Sequence, residues 1–228
     1  MENLMLLFPK LVEGALTTLE VTVVALFFGV LIGLMTSLGK MSRFFVPRLI
    51  ANVYIEIIRG TPILVQALFF YFGIPVVVRT IVSLITGDPS FRFIIDPIFA
   101  GMVVCSFNSG AYVAEIFRAG IQSVDKGQME AARSLGMPHK LAMRKIILPQ
   151  AVKTILPSLG NEFVVLIKET SILSVIGVSE ITKVGQLHTA VTYTPFSTYL
   201  GVACVYMILT FTMSRLVGVL ERRLAVSD

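Results

Sequence analysis

The sequence predicts an all-α integral membrane protein with five transmembrane helices, and two observations lead to this fold class. Hydrophobic residues make up 55% of the 228 residues, the mean hydropathy is +0.85, and only 14% of the residues are charged. Soluble domains carry about 25% charged residues. The chain also contains several apolar runs of about 20 residues, the length that a spanning helix needs. We therefore expect a single transmembrane domain over residues 1–228, surrounded by membrane lipid.

Five segments have this length, and they lie at 21–39, 60–78, 97–114, 148–167 and 189–214. The fourth segment is the weakest because Lys153 and Glu162 interrupt it. Basic residues gather after the first, third and fifth segments, with seven of them between positions 115 and 153. The positive-inside rule then predicts an N-terminus outside the cell and a cytoplasmic C-terminus, and it places the 115–153 loop in the cytoplasm.

Other classes of protein fit the sequence less well. The net charge of +5 does not indicate a nucleic-acid partner, because the basic residues lie beside the apolar segments. Cys105 and Cys204 lie within apolar segments and lack the spacing of a metal site or a disulfide framework. The run from Gly33 to Lys40 is similar to a phosphate-binding loop, but it has one residue too many between its glycines, and Met41 replaces the magnesium-binding Ser or Thr. We expect no metal site and no ATP hydrolysis by this chain itself.

Gly29 and Gly33 form a G-x-x-x-G pair in the first span, a pattern that lets a second helix approach closely. It is equally open that the two glycines have no special packing function, since glycine is common in membrane helices. No internal repeat is visible in the sequence, which disfavours a secondary transporter built from two related halves.

A polar stretch between the third and fourth spans carries the most specific motif. Residues 127–136 read GQMEAARSLG, and nine residues after Gly136 the chain continues as IILP at 146–149. This stretch resembles the EAA loop of ATP-binding-cassette (ABC) importer permeases. In that family the loop forms a cytoplasmic coupling helix that docks on a separate ATPase subunit. The resemblance implies a coupling loop at about 121–147.

Further motifs narrow the resemblance to the polar amino acid permeases of this class, the histidine, glutamine and arginine type. They are EIIRGTPILVQ at 56–66, SGAYVAEIFRAGIQSVDKGQ at 109–128 and IKETSILS at 167–174. The resemblance runs from about residue 15 to the end, and it implies a type I importer permease in a bacterial cytoplasmic membrane. The chain would be the transmembrane subunit of an ATP-driven amino acid importer, and not itself an enzyme.

The same resemblance implies the partners. Two ABC ATPase subunits would dock on the coupling helices, a second permease chain, identical or different, would complete the pathway, and an extracytoplasmic binding protein would deliver the amino acid. ATP and magnesium would be bound by the ATPase, so this chain would hold no cofactor.

Within the coupling loop, residue types match the expected role. Ser123 or Asp125 can cap a helix, and the alanines that follow are strong helix formers. Gly136 permits a left-handed turn that ends the helix. The residues expected to couple to the ATPase are Glu130, Ala131, Ala132, Leu135 and Gly136, with Glu130 the charge expected to meet a basic group.

Two polar stripes predict where the substrate lies. Asn108, Tyr112 and neighbouring positions share one face of the third span, and Ser158 and Glu162 share one face of the fourth. Glu162 lies about 20 Å from Pro149 at 1.5 Å per residue, which is well inside the membrane. The predicted substrate-binding residues are Asn108, Ser109, Tyr112, Ser158 and Glu162.

Glu162 guides the choice of substrate, since ionisable groups inside a membrane usually mark a pathway. A carboxylate there favours arginine, lysine or histidine, with glutamine next. The alternative is that Glu162 pairs with Lys153 or Lys168, or lies at a dimer seam. For Arg59 the motif favours a structural role over a ligand contact.

Three other functions stay open at this point. A secondary transporter or channel for amino acids would work without an ATPase and would need ion relays across several spans. An intramembrane enzyme would need a catalytic constellation, and no nucleophile motif is present. A signalling scaffold would use the same loop without transport.

Overall fold

All regular structure within residues 2–225 is helical. These are the residues whose backbone the computed structural model describes, with side chains described for 7–219 and 221–223. The α-helices are α1 (Glu2–Lys40), α2 (Phe45–Gly60), α3 (Ile63–Leu68), α4 (Ile74–Thr86), α5 (Pro97–Gln122), α6 (Lys126–Ser134), α7 (His139–Ala142), α8 (Leu148–Glu169), α9 (Ile181–Thr192) and α10 (Pro195–Ala225). Two π-helical turns cover Phe69–Gly73 and Met143–Ile147, and a 3₁₀-helix covers Thr170–Ile176.

The two π-turns have the same local cause. Each ends two residues before a proline, Pro75 in one case and Pro149 in the other. A proline inside a helix lacks an N–H group, and its ring collides with the carbonyl four residues earlier. That carbonyl falls within the π-turn in both cases, where the wider turn accommodates the ring. The helix axis therefore continues from α3 into α4 and from α7 into α8.

Four of the five predicted spans coincide with helices that are long and apolar enough to cross a membrane: Leu7–Lys40, Ile63–Thr86, Pro97–Gln122 and Pro195–Arg223. The fourth predicted span corresponds to α8, which is 22 residues long but does not reach that apolarity, in keeping with its charged residues.

Two predicted span boundaries are wrong. The second span does not start at Gly60, because Thr61 is extended (φ −118°, ψ 139°), as expected for a residue before proline. The 16-residue α2 is thus a separate helix that hydropathy did not predict. The fifth span does not start at Thr189, because Tyr193 adopts a left-handed conformation (φ 55°) that ends α9.

Among the described helices, α1 and α5 make the most extensive contact. The two helices approach closely at the G-x-x-x-G pair. A Cβ atom on Gly33 would lie 2.6 Å from Val113 Cγ1 and 2.9 Å from the Ala114 backbone nitrogen. A Cβ on Gly29 would lie 3.0 Å from Ser109. The close-approach interpretation of this pair is therefore confirmed within the chain.

Two apolar clusters hold the bundle together. The larger one joins α1, α5, α8 and the 3₁₀-helix, and includes the buried Val21, Cys105 and Leu166. The smaller one places Leu7 and Leu11 of α1 against α9 and α10. Of the two cysteines, Cys105 is buried in this core, whereas Cys204 is exposed on α10.

A buried carboxylate fixes α9 against α10. The Glu180 side chain is fully buried and caps α9 by accepting hydrogen bonds from the backbone N–H groups of Thr182 (2.8 Å) and Lys183 (2.7 Å). It also accepts the Tyr206 hydroxyl at 2.6 Å. A carboxylate with this many donors tolerates burial, so the cluster has a structural role.

Candidate functional site

A cavity of about 500 Å³ lies between α2, α5 and α8. Polar side chains from all three helices line it, and they include Arg59, Tyr112, Glu115, Thr154, Ser158 and Glu162. Three of the predicted substrate-binding residues, Tyr112, Ser158 and Glu162, therefore share one cavity. The two polar stripes of the third and fourth spans face each other as predicted.

Ser109 and Glu162 form the direct link between the two stripes. The Ser109 hydroxyl donates to Glu162 Oε1 at 2.9 Å, and both side chains are buried, with exposures of 0% and 9%. Ser109 is not part of the cavity lining. Its place in the structure is behind Glu162, where the hydrogen bond orients the carboxylate, and this differs from the ligand contact that the sequence predicted.

Asn108 lies at a second, smaller cavity of about 310 Å³, which Arg59, Tyr112 and Glu169 also line. Its side-chain amide donates to Gln66 Oε1 at 3.2 Å. Gln66 in turn donates to the carbonyls of Ile58 (2.8 Å) and Thr61 (3.0 Å) across the break between α2 and α3. The predicted residues thus divide between two neighbouring cavities.

Arg59 lies at the cavities, although the sequence predicted a structural role for it and not a ligand contact. It lines both cavities, and its guanidinium carbon lies 5.2 Å from the centroid of the Tyr112 ring. Tyr112 is the other residue common to both linings. The signal was present in the motif at 56–66, but nothing in the spacing showed that α2 ends beside α5.

An ion-pair network borders the larger cavity through Glu115, which is part of its lining. Glu115 accepts from Lys40 at 2.5 Å and from two nitrogens of Arg118 at 2.6 and 2.9 Å. The pairing joins the last residue of α1 to α5 across 75 positions of sequence. The sequence did not predict the pair of Lys40 and Glu115, because the two residues lie on different helices.

The predicted coupling loop contains a short helix, α6, with well-defined ends. Asp125 accepts a hydrogen bond from the Gly127 N–H at 2.8 Å, so Asp125, and not Ser123, caps the helix. At the other end Gly136 adopts φ 84°, and the Met137 N–H reaches back to the Ala132 carbonyl at 3.1 Å. This is the left-handed helix ending predicted for Gly136.

The predicted coupling residues do not all face outward. Glu130, Ala131 and Gly136 are exposed, and Leu135 is 84% exposed. Ala132 is only 1% exposed, so it packs inside this chain and offers no surface to a partner. Four of the five predicted coupling residues are therefore accessible on the surface of this chain.

No group of three or more His, Cys, Asp or Glu side chains that could hold a metal ion occurs among the described residues.

Comparison with known proteins agrees with the predicted family. Residues 25–226 match the family model described as the inner membrane component of binding-protein-dependent transport systems. A putative glutamine transport system permease protein, GlnP, of Rickettsia conorii is 41% identical over 229 residues, which cover 99% of each chain. The glutamine transport system permease protein GlnP of Escherichia coli is 38% identical over 218 residues, covering 96% of this chain and 94% of the relative.

Solved structures match as well. A crystal structure of an amino acid ABC transporter with histidines is 46% identical, with a TM-score of 0.84 over 95% of this chain and 94% of that chain. The inward-facing MetNI methionine ABC transporter has a TM-score of 0.66 at 18% identity, over 96% of this chain and 99% of that chain, which supports the fold alone. The fold is that of a type I ABC importer permease. The chain therefore belongs to the family of inner-membrane components of binding-protein-dependent transport systems, as a permease subunit of an ABC amino acid importer and not an enzyme.

Proposed function

We propose that this chain forms the path by which a basic amino acid, arginine, lysine or histidine, crosses the inner membrane. The observation that supports this substrate class is Glu162, a carboxylate that Ser109 orients in the wall of the larger cavity. A charge inside a membrane is costly and usually marks a pathway. A cationic side chain or α-ammonium group in the cavity would neutralise it.

The second carboxylate of the cavity does not compete for the same role. Glu115 is already engaged by Lys40 and Arg118. Glu162 accepts one hydrogen bond from a neutral hydroxyl, which leaves its negative charge to attract a cation. A basic substrate would therefore meet Glu162, while Tyr112 and Ser158 line the space around it.

Glutamine is the second candidate, and the relatives favour it. The Rickettsia conorii and Escherichia coli permeases are both named for glutamine transport. The crystal structure that is 46% identical is of an amino acid ABC transporter with histidines. Glutamine has no side-chain charge, so Glu162 would meet only its α-ammonium group. The same cavity would then serve, with the Asn108 amide available to the polar side chain from the neighbouring cavity.

The exposed face of α6 is the surface that we assign to the ATPase. Glu130 would meet a basic group there, and Leu135 would insert into an apolar groove, since its side chain is almost fully exposed in this chain. The ATPase would bind ATP and magnesium. A second permease chain and an external binding protein would complete the importer, with the N-terminus of this chain outside and its C-terminus in the cytoplasm.

ATP-driven uptake of labelled amino acids tests the substrate class. The copurified complex is placed in proteoliposomes with its binding protein, and arginine and glutamine uptake are measured with wild type, Glu162→Gln and the control Glu20→Gln. Glu20 is an exposed carboxylate on α1 that lines neither cavity. We expect arginine uptake that lysine competes for, that Glu162→Gln abolishes and that Glu20→Gln leaves unchanged.

Other outcomes have separate meanings. ATP-dependent glutamine uptake that survives Glu162→Gln, without arginine uptake, would reject both the basic substrate and the role of Glu162. Uptake that needs no ATPase would indicate a secondary transporter or channel. An ATPase that copurifies with the chain, without uptake of any amino acid, would indicate a signalling scaffold.

A further inference from the structure

Arg59 is a cation that lines both cavities and has no carboxylate partner in the described part of the chain. Glu115, the carboxylate beside Arg59 in the lining of the larger cavity, is paired with Lys40 and Arg118 and not with Arg59. Glu169 shares the lining of the smaller cavity with Arg59 but forms no ion pair with it within 4.0 Å. Cations inside membranes normally pair with an anion or line a pathway. The Arg59 guanidinium instead lies over the Tyr112 ring, with 5.2 Å between its carbon and the ring centroid.

The position of Arg59 relative to the two cavities suggests what the anion is. Arg59 and Tyr112 are the two residues common to both linings, so the guanidinium lies where the cavities adjoin. Glu162 lines the larger cavity. A small molecule in the larger cavity would therefore meet both a positive and a negative group of the protein. An amino acid zwitterion has the complementary pair of charges on one carbon atom.

The backbone around Arg59 also favours this role. Arg59 is in the last turn of α2, where a cation is compatible with the helix dipole. The helix ends at Gly60, and Gln66 ties the two sides of the break together. Stacking of the guanidinium on an aromatic ring limits its rotation while leaving its N–H groups free to donate at the edge. The side chain is thus held in place before any anion binds.

We infer that Arg59 binds the α-carboxylate of the transported amino acid through the paired N–H donors of its guanidinium. This inference rests on the proposed function. Among the described residues, Arg59 is the one lysine or arginine in the two cavity linings, so no other side chain there could pair with a carboxylate through a permanent positive charge. Glu162 would then bind the α-ammonium or the side-chain cation. Because every amino acid has an α-carboxylate, Arg59 would select amino acids over amines and amides without deciding which side chain is carried.

A phospholipid phosphate is the other anion that could meet Arg59 in a membrane. A headgroup would need the guanidinium to face lipid, whereas the structure places it against both cavity linings. The two sources differ in one measurable property. Only a substrate contact makes the affinity depend on whether the α-carboxyl group of the ligand is charged.

The test is equilibrium binding to the purified permease–ATPase complex in nanodiscs, without the binding protein. The ligands are labelled L-arginine and L-glutamine and the α-amide of each, which keeps the ammonium group and loses the negative charge. The variants are Arg59→Gln, Arg59→Lys and the control Arg48→Gln. Arg48 is an exposed arginine on the same helix that lines neither cavity.

We expect wild type and Arg48→Gln to bind the acid at least about 10-fold more tightly than the amide, which corresponds to about 1.4 kcal/mol. Arg59→Gln should bring this ratio close to 1, and Arg59→Lys should give an intermediate ratio because lysine keeps the charge but not the paired donors. If Arg59→Gln does not fold, the Arg59→Lys ratio carries the test.

An unchanged ratio in the Arg59 variants would overturn the inference, whether or not overall affinity falls, because a structural or lipid-binding arginine affects acid and amide alike. A wild-type complex that neither binds nor transports any amino acid would instead refute the proposed function. A complex that transports amino acids with an acid-to-amide ratio independent of Arg59 would refute this inference alone.

Discussion

Gly136 at the end of α6 offers the sharpest test of how the coupling helix is built. Its φ of 84° lies in the left-handed region, and nothing lies within 4 Å of a Cβ atom placed there. A substitution at this position is therefore strained by its backbone conformation and not by collision within the chain. Such strain costs about 1–2 kcal/mol for an ordinary L-residue, but less for asparagine, whose short polar side chain tolerates this region.

This strain energy is large relative to the interactions that stabilise α6. The helix has nine residues, and isolated helices shorter than about 12 residues are marginal in water. Its ending depends on the bonds from Gly136 N to the Arg133 carbonyl and from Met137 N to the Ala132 carbonyl. A loss of 1–2 kcal/mol is a factor of about 5–30 in a two-state equilibrium. We expect Gly136→Ala to lower the coupled population of α6 by about this factor.

Uptake per ATP hydrolysed, together with the fraction of ATPase that copurifies, measures the effect. Backbone strain predicts that uptake per ATP decreases from wild type to Gly136→Asn, then to Gly136→Ala and then to Gly136→Val. Asparagine precedes alanine in this order although its side chain is larger. The opposite order for Asn and Ala would show that side-chain size at the docked surface matters and would refute the backbone argument. Gly136→Asp keeps a tolerated backbone but adds a negative charge at a helix C-terminus, so uncoupling by Asp and not by Asn would identify an electrostatic cause.

Three further predictions concern packing and use thermal unfolding of the purified chain in detergent. Gly33→Ala should lower the free energy of unfolding by about 1–3 kcal/mol, because its Cβ would lie 2.6 Å from Val113 Cγ1. Gly160→Ala should have a similar cost, since its Cβ would meet the Val217 side chain at 2.6 Å, and Val217→Ala should restore most of the loss. Glu115→Gln should cost about 1–3 kcal/mol, because the two cations that share this carboxylate lose a charged acceptor.

The two glycine variants act as controls for each other. The three closest atoms to a Cβ at position 160 all belong to Val217, so trimming that side chain removes the conflict. At position 33 the Ala114 backbone nitrogen also lies within 2.9 Å, so Val113→Ala should not restore stability. Full rescue at position 33, or none at position 160, would contradict the packing described for these helices. A stability unchanged by Glu115→Gln would show that the ion-pair network does not hold α1 to α5.

Most of the helical architecture was predictable because it depends on local composition. Uncharged runs of sufficient length identified four helices that can span a membrane, and Gly136 was correctly assigned to a left-handed helix ending. The missed features are breaks and additions that hydropathy does not report. The helix α2 was overlooked because its amphipathic residues lower the mean hydropathy, and the break at Thr61 follows from Pro62, a local signal that was available in the sequence.

The candidate site was predicted less completely. Periodicity placed Tyr112, Ser158 and Glu162 on facing stripes, and the structure brings them to one cavity. Periodicity identifies a face of one helix but not the neighbour that covers it. For this reason Ser109 was taken as a ligand contact although it lies behind Glu162, and Ala132 was assigned to a docking surface although it is buried.

The sequence alone determined that the chain enters the membrane, that most of its spans are helical and that a polar loop with the EAA spacing joins two of them. These properties follow from the length of apolar runs and from residues close together in the chain. Only the tertiary structure decided that Arg59 borders both cavities and that Lys40 reaches Glu115 across 75 positions. Contacts between distant segments depend on how helices cross and where each one breaks, and those angles are set by packing between side chains that no local pattern relates.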